Sequence, residues 1–179
     1  VLMLGTGDIG RQTARRLRAF LPACIVGYNR SGRDPEGLFD RIVTGDGLDS
    51  ALPQSDIVIL SLPGTSSSRH VLDRRRLGLL PEGALLVNVG RGSTIEQEAL
   101  YELLSSGRLS AALDVFEKEP LPKDDPLWDC PNLLITPHIS GNMTLPYTVE
   151  RIVDMFLEDL DRYSRGLALL HTADRKRGY

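Results

Sequence analysis

Cysteine is scarce in this chain, with two in 179 residues, Cys24 and Cys130, far apart in sequence. That scarcity excludes a disulfide framework and reads as two reduced thiols in a cytoplasmic protein. No apolar run approaches the roughly 20 residues that cross a bilayer, and no signal-peptide pattern opens the chain, so no membrane partner is expected. A dominant charge is missing as well. The 21 Lys+Arg against 24 Asp+Glu leave a net charge of -3, without a basic surplus to attract nucleic acid. Internal repeats and low-complexity tracts are lacking. So is an initiator methionine, and because the chain opens directly in a strand pattern it is expected to be truncated. What is left, 41% hydrophobic and 25% charged residues, suits one well-buried globular core.

Short apolar runs alternate with segments of helical period, the pattern of an α/β fold with helices on both faces of a parallel sheet. Strands are expected over 1–4, 23–28, 41–44, 57–61, 85–89, 111–115 and 133–136. Their Val, Ile and Leu content suits strands buried on both faces. Helices are expected over 9–20, 96–106 and 147–164, with short helical turns near 48–52 and 74–79. Gly107 stands where a helix C-terminal cap belongs. Residues 117–132 carry Pro120, Pro122, Pro126 and Pro131 and read as a long structured loop, and 166–179 reads as an extended tail.

Directly after the first strand stands Gly5-Thr6-Gly7-Asp8-Ile9-Gly10, followed by a helical pattern. Glycines there permit a tight turn and a close approach to a pyrophosphate, which the following helix N-terminus attracts. The expected class is therefore a doubly wound parallel sheet, a three-layer αβα Rossmann dinucleotide-binding fold, with Gly5, Gly7, Asp8, Ile9 and Gly10 at the phosphates. An acid usually ends the second strand of such folds when NAD is the cofactor. Here Tyr28-Asn29-Arg30-Ser31-Gly32-Arg33 holds no acid before Asp34. Asn29 does not repel a 2′-phosphate, and Arg30 and Arg33 can pair with one, so NADP(H) is expected over NAD(H). The alternative is that both arginines are ordinary loop residues and that Asn29 accepts NAD.

Ligands of such sheets bind beyond the strand C-termini, where four polar clusters fall. They are 61–65, 88–92, 114–120 and 136–141. Singly, Arg91, Glu119 and His138 each have a bland surface reading. Together they bring unlike charges to one edge.

The motifs Gly5–Gly10, Ser61-Leu62-Pro63, Asn88-Val89-Gly90-Arg91-Gly92, Leu113-Asp114-Val115-Phe116-Glu117-Lys118-Glu119-Pro120 and Asn132-Leu133-Leu134-Ile135-Thr136-Pro137-His138 occur in that order. With Asp125-Pro126-Leu127-Trp128 and the closing Asp174–Tyr179, they resemble the D-isomer-specific 2-hydroxyacid dehydrogenases over essentially the whole chain. The resemblance implies an oxidoreductase that moves a hydride between nicotinamide and carbon 2 of a small 2-oxo or 2-hydroxy acid. By the same resemblance Arg91 grips the substrate carboxylate, His138 is the acid/base and Glu119 pairs with its imidazole. Glu117, two positions earlier, falls outside that role. Leu62, Pro63, Val89, Gly90, Asp114, His138 and Ser140 are implied to line the cofactor, although Asp114 equally suits a loop cap. No metal is implied.

The resemblance further implies residues 1–165 as the dinucleotide-binding domain, with 166–179 as a tail that packs on a substrate domain absent from this chain. It also implies a homodimer paired through the cofactor domain, and cofactor binding without efficient turnover by this chain alone. Some relatives act as corepressors, so a dinucleotide-sensing module, or an inactive fragment, stands as the alternative.

Overall fold

In β1 (Leu2–Leu4) every residue is fully buried, which a strand achieves only when both faces of its sheet are covered. Leu2 and Leu4 enter one apolar cluster, and Met3 enters another with Ala14, Ile25 and Phe39. The computed structural model describes residues 1–20, 24–141, 143 and 145–173. It divides into two units, Val1–Pro137 and a second that begins at His138.

The first unit holds a seven-stranded sheet: β1, β2 (Val26–Tyr28), β3 (Arg41–Val43), β4 (Ile57–Leu60), β5 (Leu85–Asn88), β6 (Ser110–Leu113) and β7 (Leu133–Ile135). Every pairing is parallel, in the order β3-β2-β1-β4-β5-β6-β7. This is the doubly wound α/β fold that the sequence pattern predicts. The helices are α1 (Asp8–Phe20), α2 (Gly47–Ala51), α3 (Arg74–Leu77) and α4 (Gln97–Ser105). α1 buries Gly10 and Ala14 on the Met3 face, while Leu48, Leu77, Leu100 and Leu104 belong to the opposite cluster. Gly107 sits at φ 72 just beyond α4, where the left-handed cap was expected.

Each expected strand is present, though shorter than its apolar run; the expected start at residue 23 lies outside the described residues. β6 stops at Leu113 rather than residue 115 because its ladder with β7 ends at Leu113↔Ile135. Val115 and Phe116 remain buried but leave the sheet. The proline-rich loop at 117–132 holds one 3₁₀ turn, Pro126–Asp129, with the Asp125 carboxylate accepting from the Leu127 N–H.

The second unit is built on α5 (Pro146–Ser164), which starts with proline at its first turn. Val149, Ile152, Val153, Phe156, Leu157 and Leu160 recur at helical spacing and are all exposed. Beyond Gly166 (φ 68) the chain doubles back instead of extending. The Leu170 and His171 amides donate to Asp159 at 2.7 and 2.9 Å, and these bonds hold that carboxyl below its usual range. Asn142 and the closing Asp174–Tyr179 motif lie outside the described residues. Among the described residues no helix is long and apolar enough to cross a membrane.

Candidate active site

The sheet order decides where a ligand belongs. From β1 the chain winds outward to β3, then returns to the other side of β1 as β4, which opens a crevice at the C-terminal ends of those two strands. The glycine turn lies there. Gly5 leaves β1 at φ +105, and its carbonyl accepts from the Ser61 hydroxyl beyond β4 at 3.2 Å. A Cβ on Gly10 would lie 2.1 Å from the Gly5 oxygen, so α1 closes on the turn only with glycine. At Gly7 a Cβ would meet nothing within 4 Å, leaving bare backbone with open space before it. The first helical bond of α1 is Arg11 N–H to Gly7 O, 2.9 Å. The amides of Asp8, Ile9 and Gly10 precede it and carry the positive end of the helix dipole. Unblocked N–H donors with that dipole fit a pyrophosphate.

Asn29, just past β2, shapes the loop that follows. Its Oδ1 accepts the Gly32 N–H at 2.7 Å, while Nδ2 donates to the Thr6 hydroxyl at 2.7 Å and the Arg33 carbonyl at 2.9 Å. Asp34, the nearest acid in sequence, turns inward and accepts the Phe39 N–H at 2.9 Å. Glu36 pairs with Arg11 and Arg15 on α1. Arg30 and Arg33 are exposed.

Arg91 sits on a turn beyond β5 held by buried polar groups. The fully buried Asn88 and Thr94 side chains both donate to the Arg91 carbonyl, at 3.1 and 2.6 Å, and Asn88 Oδ1 accepts the Gly90 N–H. The Arg91 side chain is exposed, bonds the Gly90 carbonyl at 2.7 Å and runs past Gly64, two residues beyond Leu62. The next glycine does more. A Cβ on Gly92 would lie 1.9 Å from both the carbonyl carbon and oxygen of Phe116, so the turns after β5 and β6 touch backbone to backbone. Beyond that contact the Glu119 carboxylate accepts the Phe116 N–H at 2.9 Å. The structure thus joins the turns carrying Arg91 and Glu119.

Asp114 is buried at the end of β6, where its carboxylate accepts the Thr136 hydroxyl at 2.5 Å. This bond ties the ends of β6 and β7. His138 opens the second unit at φ 54, and both it and Ser140 are exposed. Sequence reasoning missed His70 and Gln97, whose contacts reach Glu117 from 20 or more residues away. Such partners leave no local pattern.

Residues 1–140 match the family profile of the D-isomer specific 2-hydroxyacid dehydrogenase NAD binding domain. Glyoxylate/hydroxypyruvate reductase B of Pectobacterium atrosepticum is 38% identical over 141 residues, which are 78% of this chain and 43% of the relative. A D-isomer specific 2-hydroxyacid dehydrogenase of Xanthobacter autotrophicus, solved with NADPH and MES, superposes with a TM-score of 0.88 at 36% identity, covering 100% of this chain and 72% of that one. The NADPH-dependent glyoxylate/hydroxypyruvate reductase of Sinorhizobium meliloti, solved with NADP and sulfate, gives 0.84 at 30% identity over 99% of this chain and 56% of that one. The chain spans about half the length of the curated relatives it matches.

Proposed function

Because this chain belongs to the D-isomer specific 2-hydroxyacid dehydrogenase family, we propose that it serves hydride exchange at carbon 2 of a small 2-oxo or 2-hydroxy acid. A bound nicotinamide would supply or accept the hydride. The chain's own residues bind, orient and move a proton. The Asp8, Ile9 and Gly10 amides and the bare backbone at Gly7 receive the pyrophosphate. Leu62, Pro63, Val89, Gly90 and Asp114, at the ends of neighbouring strands, form the floor toward the reacting end, with His138 and Ser140 supplied by the following segment. The Arg91 guanidinium, a planar fork of fixed charge, holds the substrate carboxylate at two points. His138 gives a proton to the carbon-2 oxygen in reduction and removes it in oxidation, with Glu119 as the carboxylate assigned to its imidazole.

The observation that carries this reading is the backbone contact of Gly92 with Phe116, which brings the turns of Arg91 and Glu119 together at the C-terminal ends of β5 and β6. Reduction of glyoxylate and hydroxypyruvate by the gene product, followed by loss of reduced nicotinamide absorbance, tests it. Cofactor binding with no reduction of any 2-oxo acid across a panel would favour the dinucleotide-sensing alternative instead.

We further propose a preference for NADP(H). Its support is local: Asn29 is committed to shaping its loop, Asp34 faces inward, Glu36 is paired to α1, and Arg30 and Arg33 are exposed on the same loop. No carboxylate among them is presented to repel a 2′-phosphate. Tighter binding of NADH than of NADPH by calorimetry would reject the preference.

A further inference from the structure

His70 and Glu117 form a second imidazole–carboxylate pair, separate from the one assigned to the reaction. Their Nε2 and Oε1 atoms are in hydrogen-bond contact, with the side chains 31% and 32% exposed. We infer that His70 is a positioning residue, which holds the Phe116–Glu119 turn and through it the Glu119 carboxylate. The inference rests on the function proposed above.

Both ends of the contact are fixed. The His70 N–H donates to the Ser93 carbonyl at 2.8 Å, and two residues on, Leu72 pairs with Ile95 in an isolated parallel bridge. The His70 backbone sits at φ 45, a left-handed conformation unfavourable for a side-chain-bearing residue. That geometry persists where the surroundings over-determine it. Across the gap, the Glu117 N–H donates to Gln97 Oε1 at 3.1 Å, and Gln97 Nε2 donates to Asp125 at 3.3 Å. The next residue back, Phe116, presses its backbone on Gly92 and gives its N–H to Glu119. The turn is therefore held by Gln97 through the main chain of Glu117 and by His70 through its side chain. Without His70, the loop after β4 loses its side-chain tie to the loop after β6, and Glu119 keeps its height above the sheet less firmly.

Amide hydrogen exchange, resolved residue by residue on the 179-residue chain, tests the tie directly. In His70→Ala the Phe116 and Glu117 amides should exchange about threefold to fivefold faster, the range expected of a half-exposed pair, while β4 and β5 amides are unchanged. His70→Gln, whose amide still donates, should restore most of the protection. Glu117→Ala should match His70→Ala, and the double variant should add little to either. In the active gene product, His70→Ala should lower kcat several-fold with KM for the 2-oxo acid nearly unchanged, because Arg91 rather than Glu119 holds the substrate. Unchanged exchange at Phe116 and Glu117, or faster exchange with kcat intact, overturns the positioning role alone. A wild-type protein that reduces no 2-oxo acid overturns the proposed function and this role with it.

Discussion

Replacing Gly92 by alanine adds one methyl group where the structure has no room for it. The added carbon would sit 1.9 Å from two backbone atoms of Phe116 and 2.5 Å from a third. Ordinary contact begins near 3.4 Å, so the two backbone segments must part by about 1.5 Å. No flexible side-chain tip can yield, because all three atoms are main chain. One side of the contact is locked by Asn88 and Thr94, which hold the Arg91 carbonyl, and the other by the Gln97 bond to Glu117. Overpacking a well-filled site costs about 1–3 kcal/mol, and a rigid backbone contact belongs at the upper end. At about 2–4 °C per kcal/mol for a chain of this size, the melting temperature should fall by roughly 6–12 °C. The chemistry should suffer more, since a displacement near 1 Å between Arg91 and Glu119 can cost about a hundredfold in rate. Gly7→Ala is the matched control: its methyl meets nothing within 4 Å, so the melt should stay within about 2 °C of wild type while NADPH binding weakens. Thermal unfolding by circular dichroism and steady-state reduction of a 2-oxo acid give both readouts. A Gly92→Ala protein melting within 2 °C of wild type at full activity would refute the tie between the two turns.

Three further outcomes are expected. Arg30→Ala with Arg33→Ala should weaken NADPH binding about 10- to 100-fold, the loss of one or two charge-assisted bonds, and leave NADH binding unchanged in calorimetry. Thr136→Val removes a donor from the buried Asp114 carboxylate and should cost about 1–2 kcal/mol in urea unfolding; a change below about 0.3 kcal/mol would deny that bond a structural role. Asp49, bonded to Arg76 and then Arg75, is held below its ordinary value of 3.8. Its folded form binds a proton less readily than its unfolded form, so its stabilisation is present above about pH 4 and is lost as pH falls through the lower folded value. Asp49→Asn should therefore be less stable than wild type at pH 7, with the two stability curves converging as pH falls through the folded value of Asp49.

Much of the fold was legible because its signals are local. Strands buried on both faces must be continuous runs such as Ile57–Leu60 and Leu85–Asn88, and these read directly from residue type. Gly5, Gly10 and Gly107 were readable because only glycine tolerates the conformation or the closeness at those positions. Strand ends were less so: whether Val115 belongs to β6 depends on where β7 stops, which lies about 20 residues further along the chain. Asn29 was read as a cofactor-binding residue that does not repel a 2′-phosphate. Its bonds to Thr6, Gly32 and Arg33, which build the loop, were not legible in the sequence.

By itself the sequence determined the alternation of buried strands and helices, the glycine turn after the first strand, and the kinds of side chain at each strand end. Those follow from backbone sterics and side-chain chemistry within a few residues. Only the tertiary structure decided that β4 lies beside β1, placing the glycine turn at the crevice, and that Gly92 meets Phe116 while His70 meets Glu117. Contacts of that kind arise when parallel strands align ends remote in sequence, and their geometry exists only once the sheet is assembled.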